Sequence, residues 1–169
     1  MNIPSGILPF WLRFQASIGA DVSARFCEAF YFDDNEAGAT ELAQLVLAGK
    51  KRGTASLEWS LAVTGRPRPK AGDLSVVTDW HGQPLCIIET HSVTVMPFDE
   101  VGEDFAAVEA EGDGSLRYWR EGHWQYFSGE CARIGRTPDL HMPVLCERFE
   151  VVYQEDGKTA TSPALPPID

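Results

Sequence analysis

Apolar side chains recur about every fourth position between residues 9 and 31, at Phe10, Phe14, Ile18, Val22 and Phe26. This spacing predicts an N-terminal helical cover, interrupted near Gly19. Asp33 or Asp34 then offers an N-cap to a second helix, whose apolar face is Ala39, Leu42, Leu45 and Val46 and whose stop is Gly49. From Thr54 the pattern turns to strands, expected over residues 54–62, 74–80, 85–89 and 92–96, with His81-Gly82-Gln83-Pro84 turning between two of them. Pro97 ends that run. A short acidic helix is expected from Asp99 to near Ala110, followed by a Gly112-Asp113-Gly114 loop. Ser115 can cap a helix carrying Leu116, Trp119, His123, Phe127 and Cys131 at spacings of three or four. A last strand is expected over 144–153. The order of elements fits an α+β fold, a small mixed barrel or curled sheet packed by helices, better than a parallel α/β sheet. It divides the chain into an N-terminal helical extension over 1–25, a core over 26–153 and a proline-rich flexible tail over 154–169.

Composition narrows the partners. A chain of 169 residues with 44% apolar content can support one domain with a core that needs no disulfide or metal. Fourteen Lys and Arg against 25 Asp and Glu give a net charge of −11, which opposes wrapping of a nucleic acid by the whole surface. No apolar run is long enough to cross a membrane, and Pro4 and Pro9 break an N-terminus without a basic leader. A cytoplasmic location without membrane attachment is the expectation. Cys27, Cys86, Cys131 and Cys146 form no Cys-x-x-Cys pair and are expected to be free, mostly buried thiols rather than zinc ligands. The pattern does not set an oligomeric state.

Charge is unevenly spread. Residues 49–72 hold Lys50, Lys51, Arg52, Arg66, Arg68 and Lys70 against Glu58 alone, a candidate anion site. Residues 99–113 hold seven carboxylates and no Lys or Arg. Lys51 and Thr54 lie three apart around Gly53, where a helix gives way to the first core strand. A lysine beside a hydroxyl is a workable general-base pair if the amine loses its proton near neutral pH. The helix C-terminus before it favours the cation, so the sequence leaves the direction of that shift open.

The motif Gly-x-Lys-x-x-Thr at Gly49, Lys51 and Thr54 resembles the signature of the ASCH superfamily, related to the RNA-binding PUA domain. Tyr31-Phe32-Asp33-Asp34-Asn35, Val77-Thr78-Asp79-Trp80, Pro84-Leu85-Cys86-Ile87-Ile88-Glu89-Thr90, Glu111-Gly112-Asp113-Gly114-Ser115-Leu116 and Cys146-Glu147-Arg148-Phe149 are similar to one subfamily of it, and the likeness spans residues 26–153. The resemblance implies a PUA-like β-barrel of about five to six strands, a cleft lined by the motif, and a link to RNA. Ribonuclease activity is described among relatives of this subfamily. A smaller branch hydrolyses the amide of acetylated cytidine, with the motif lysine and threonine assisted by a downstream glutamate, here Glu109 or Glu111, of which Glu111 adjoins the glycine turn and is favoured. Ala55-Ser56 stands where many members carry a β-branched residue and then arginine, a contact that Arg120 could supply instead.

Three functions follow as expectations. The leading one is an RNA-binding protein with single-stranded ribonuclease activity, in which Lys50, Lys51 and Arg52 hold phosphates and Trp59, Trp80, Trp119 or Trp124 stacks on a base. Such cleavage would call on acid/base groups, or on Mg²⁺ or Mn²⁺ held by carboxylates such as Asp79 and the acidic loop. The second is hydrolysis of a modified nucleoside by Lys51, Thr54 and Glu111, and the third is a non-catalytic binding module. Ser128, near Glu130 on the helix expected to face the cleft, is a further candidate catalytic hydroxyl.

Overall fold

The computed structural model describes residues 2–155; the flexible tail expected from sequence lies, apart from its first two residues, outside them. Five strands form one mixed sheet in the order β1-β3-β4-β5-β2: β1 (Phe26–Phe30), β2 (Gly53–Leu57), β3 (Leu74–Thr78), β4 (Pro84–Pro97) and β5 (Pro143–Gln154). β1 runs parallel to β3, and the other pairings are antiparallel. The sheet curls without closing, because β1 and β2 are its two edges. β4 and β5 are long enough to serve two neighbourhoods. The first half of β4 pairs with β3, whereas the first half of β5 pairs with β2, and the register between β4 and β5 slips at Thr90 and Ser92 where the two halves meet. Such a slip adds local bend and twist.

Among the described residues, five helices cover this sheet. α1 (Leu8–Ile18) packs Phe10, Trp11 and Phe14 onto Phe26, Leu74, Val76 and Ile87. α2 (Glu36–Leu47) covers the opposite face, where Ala43 and Val46 meet Val77, Cys86 and Ile88. Adjacent residues Val76 and Val77 therefore point to different helices, as strand alternation requires. All of β3 is buried in consequence. α4 (Glu103–Glu109) and α5 (Leu116–Arg133) close the other end through Phe105, Trp119, Phe127 and Cys131 against Leu57, Val144 and Cys146. The four cysteines are free and buried. No helix among the described residues is long and apolar enough to cross a membrane.

Several expected elements differ. The helical cover stops at Ile18, where Gly19 takes a left-handed φ of 67°, and residues 26–30 are a strand rather than more helix. Their aromatic content serves an edge strand, and the four-residue spacing across Gly19 was coincidental. Asn35, not Asp33 or Asp34, caps α2 by accepting from Gly38 N at 2.9 Å. The strand expected over 54–62 ends at Leu57, and residues 58–64 form α3 (Glu58–Thr64), stopped by Gly65 at φ 69°. Strands 85–89 and 92–96 are one continuous β4. The acidic helix begins after Gly102, since Phe98–Glu100 is a single 3₁₀ turn anchored by Phe98 in the core.

Candidate functional site

The end of α2 distributes the basic triplet. Gly49 adopts φ 69°, and the amides of both Lys50 and Lys51 return to Leu45 O. Lys51 enters the protein, while Lys50 and Arg52 on either side of it are exposed. The Lys51 ammonium donates to Glu109 Oε1 at 3.2 Å and Glu111 Oε1 at 2.6 Å, and lies 5.3 Å over the Phe32 ring. Both carboxylates come from one helix end. Residues two apart on an α-helix normally diverge, but Ala110 between them takes a left-handed φ of 54°, and this turns Glu111 back towards the lysine. A non-glycine residue in that conformation is strained by about 1–2 kcal/mol, which the paired lysine must offset.

Glu109 is the hub. Its Oε2 accepts from Trp119 Nε1 and faces His123 Nε2 at 3.1 Å. His123 Nδ1 lies 2.9 Å from Trp119 O, and the two rings stack at 4.1 Å. A carbonyl only accepts, so Nδ1 carries a proton; Nε2 faces an ionised carboxylate and carries one as well. The histidine is therefore cationic. Burial pushes its imidazole down, but the charge and hydrogen bond of Glu109 outweigh that and hold it above its ordinary value. Burial likewise pushes Glu109 up, yet Lys51, His123 and Trp119 together bring it to about 2. Burial would lower Lys51, and Glu109 with Glu111 raises it instead. Two cations and two anions thus make a closed, neutral quartet. Glu109, Glu111 and His123 hold ligand-type atoms within 4.8 Å of one another, but the Lys51 ammonium already occupies the position between the carboxylates. The set does not fit a divalent ion.

A pocket of about 250 Å³ opens beside this quartet. Thr54 lines it from β2, Glu147 from β5, and Tyr118, Gly122, His123, Tyr126 and Glu130 from α5. Tyr31 and Phe32 form a further aromatic wall. Gly112 shapes the rim: at φ 56°, an added Cβ would fall 2.3 Å from the Tyr118 ring. The lining is acidic. Glu28, Asp33, Glu41, Glu130 and Glu147 join Glu109 and Glu111, and the one lining arginine, Arg66, is held by Glu28 through bonds of 3.1 and 2.9 Å.

This distribution narrows the candidate anion site of residues 49–72 to Lys50 and Arg52, which stay exposed. Lys51, Arg66, Arg68 and Lys70 are each paired with a carboxylate of the protein. The structure brings Thr54 and Glu111 to one pocket, with Lys51, outside its lining, bonded to both Glu109 and Glu111. It does not bring the remaining candidates there. Trp59 rides on α3, beneath the Arg136 guanidinium at 4.5 Å. Asp79 shapes the turn before β4, accepting from His81 N and Gln83 N at 2.9 and 2.8 Å. Arg120 donates to the carbonyls of Asp99 and Val101. Ser128 has a buried hydroxyl without a partner among the described residues and does not line the pocket. His123 and Glu147 were not foreseen. His123 left one signal, its position one turn after Trp119 on a helical stripe; Glu147 left another, its place in the Cys146-Glu147-Arg148-Phe149 segment of the family resemblance.

The fold and site define an α+β domain with an acid-lined pocket beside a buried lysine. The ASCH domain family model matches residues 28–153, and the chain belongs to this family. A crystal structure of an ASCH domain from Lactobacillus crispatus is 37% identical, with a TM-score of 0.81 over 91% of this chain and 98% of that one. A structure from Enterococcus faecalis is 31% identical, with a TM-score of 0.78 over 87% of this chain and 88% of the other. No curated protein matches significantly.

Proposed function

We propose that this ASCH domain takes a single base or nucleoside, unpaired within RNA or free, into the pocket beside Thr54 and hydrolyses an acylated amine on it. Family membership supports the link to RNA, and the carrying observation is the state of Lys51. Its ammonium is enclosed by Glu109 and Glu111 and is unavailable to a phosphate. A phosphodiester entering the pocket would meet Glu28, Glu130 and Glu147, whereas an uncharged base with amino groups would find acceptors and aromatic faces. The Thr54 hydroxyl stands on the pocket wall as the nucleophile for an acyl carbon. His123, which lines the same pocket, is the cation that faces the developing negative charge, while Lys51 holds Glu109 and Glu111 in position. Lys50 and Arg52, exposed on the outer surface, would hold phosphates of an RNA that presents the base.

The test is an incubation with acetylated cytidine and with labelled single-stranded RNA, each with and without chelator. Acetate is expected from the nucleoside, insensitive to chelator, while RNA stays intact; Thr54→Ala abolishes release. RNA fragments that disappear on chelation would establish instead a metal-assisted ribonuclease, and tight nucleoside binding without acetate would leave a non-catalytic module.

A further inference from the structure

Attack by Thr54 requires a group to take its proton, and most neighbours are committed. Lys51 holds its own proton between two carboxylates, and both nitrogens of His123 already face acceptors. Glu109 accepts from Lys51, Trp119 and His123, and Glu28 is bound by Arg66. Glu147 stands apart from these. It is the register partner of Thr54 between β2 and β5. Directly opposed residues project from the same face of a sheet with Cβ atoms about 5 Å apart, and both side chains line the pocket. Glu147 is only 6% exposed. Its Oε1 accepts from the Thr90 hydroxyl at 2.5 Å, and Oε2 has no donor among the described residues.

We infer that Glu147 is the catalytic acid/base of this pocket, taking the proton of Thr54 and returning it to the leaving amine. This rests on the acyl-hydrolase reading above. As Thr54 Oγ bonds to the acyl carbon, its proton passes to the Glu147 carboxylate and the carbonyl becomes an oxyanion. Collapse of that intermediate breaks the C–N bond, and the proton moves from Glu147 to the departing nitrogen. A water molecule then attacks the Thr54 ester, giving one proton to Glu147; the ester C–O bond breaks, the proton returns to Thr54 Oγ, and the free acid leaves. The sum is amide plus water to amine plus acid.

The surroundings suit the exchange. Burial pushes the Glu147 carboxyl up to about 7, helped by the negative charges of Glu28 on β1 and Asp73 before β3, and opposed by the Thr90 hydrogen bond and by Arg66. His123 and Glu130 face the same pocket from α5. A carboxyl that titrates near working pH can both accept and release a proton.

The experiment follows acetate release from acetylated cytidine against pH for the unmodified protein, Glu147→Gln and Thr90→Val. The unmodified protein is expected to show a rate that rises through about pH 7. Glu147→Gln should lower kcat by about 10²- to 10⁴-fold, the usual worth of a positioned acid/base, and leave KM within a few-fold. Thr90→Val removes a donor that favours the ionised form, so the rising limb should move to higher pH. A Glu147→Gln protein that keeps its rate and its limb overturns the inference, as does an unmoved limb in Thr90→Val should the glutamine variant not fold. No acetate from the unmodified protein refutes the hydrolase reading and this inference with it, whereas activity indifferent to both substitutions refutes this inference alone.

Discussion

At the scale of single residues, charge balance governs what each substitution does. Removing Lys51 leaves Glu109 and Glu111 facing each other in a buried site, so Lys51→Ala should lose about 3–5 kcal/mol by chemical denaturation, the usual cost of stripping one partner from a buried pair. Thr54→Ala should lose far less, and Lys51→Met combined with Glu109→Gln should recover part of the loss. Glu147 behaves in the opposite sense. Its folded-state value of about 7 lies above the ordinary 4.5, so the folded protein holds that proton more tightly and stability falls as pH rises from about 4.5 to about 7. Glu147→Gln should therefore raise the Tm at pH 8.5, by the equivalent of a few kcal/mol at most, and change it little at pH 4. Lys51, Thr54 and Glu111 were legible because a short motif and an adjacent glycine turn mark them. The protonation of Lys51 was not, since sequence placed cations beside it but could not show that the chain turns Glu109 and Glu111 onto it.

At the scale of elements, the site depends on how β2 and α4 approach. An added Cβ at Gly53 would sit 3.1 Å from both Glu147 O and Val108 Cγ1, and 3.4 Å from the Phe105 ring. The carbonyl is fixed by the β2–β5 pairing, so β2 or α4 must shift. Gly53→Ala is expected to cost about 1–3 kcal/mol, the range for overpacking, and to weaken nucleoside binding in calorimetry because Thr54 moves with the strand. α5 depends on its first turn: Ser115 accepts from Tyr118 N at 3.1 Å, and Ser115→Ala should lower stability by about 1 kcal/mol. The cap of α5 was readable from sequence, as were α2, β3 and β5. α3 was not, because Leu57 and Leu61 suit a helix as well as the alternation that predicts a strand, and tertiary packing decided between them.

At the scale of the molecule, α1 belongs to the same core as the sheet. Trp11 is fully buried against Phe26 and Leu74, and residues 1–25 are the expected extension. Deleting them should strip one face of the sheet and abolish the cooperative unfolding transition seen by circular dichroism. The α+β class was legible in the order of elements; the open edges of the sheet were not, since a barrel and a curled sheet share one hydrophobic pattern. The pairing order also has a kinetic consequence. β2 finds its partner in β5, the last described strand, and Lys51 meets carboxylates 58 and 60 residues further on. Contacts between distant stretches of chain form late and slowly. A ribosome must therefore release the chain through β5 before Thr54 has its opposite number, and until then the nascent protein can hold a folded β3–β4 hairpin but no pocket.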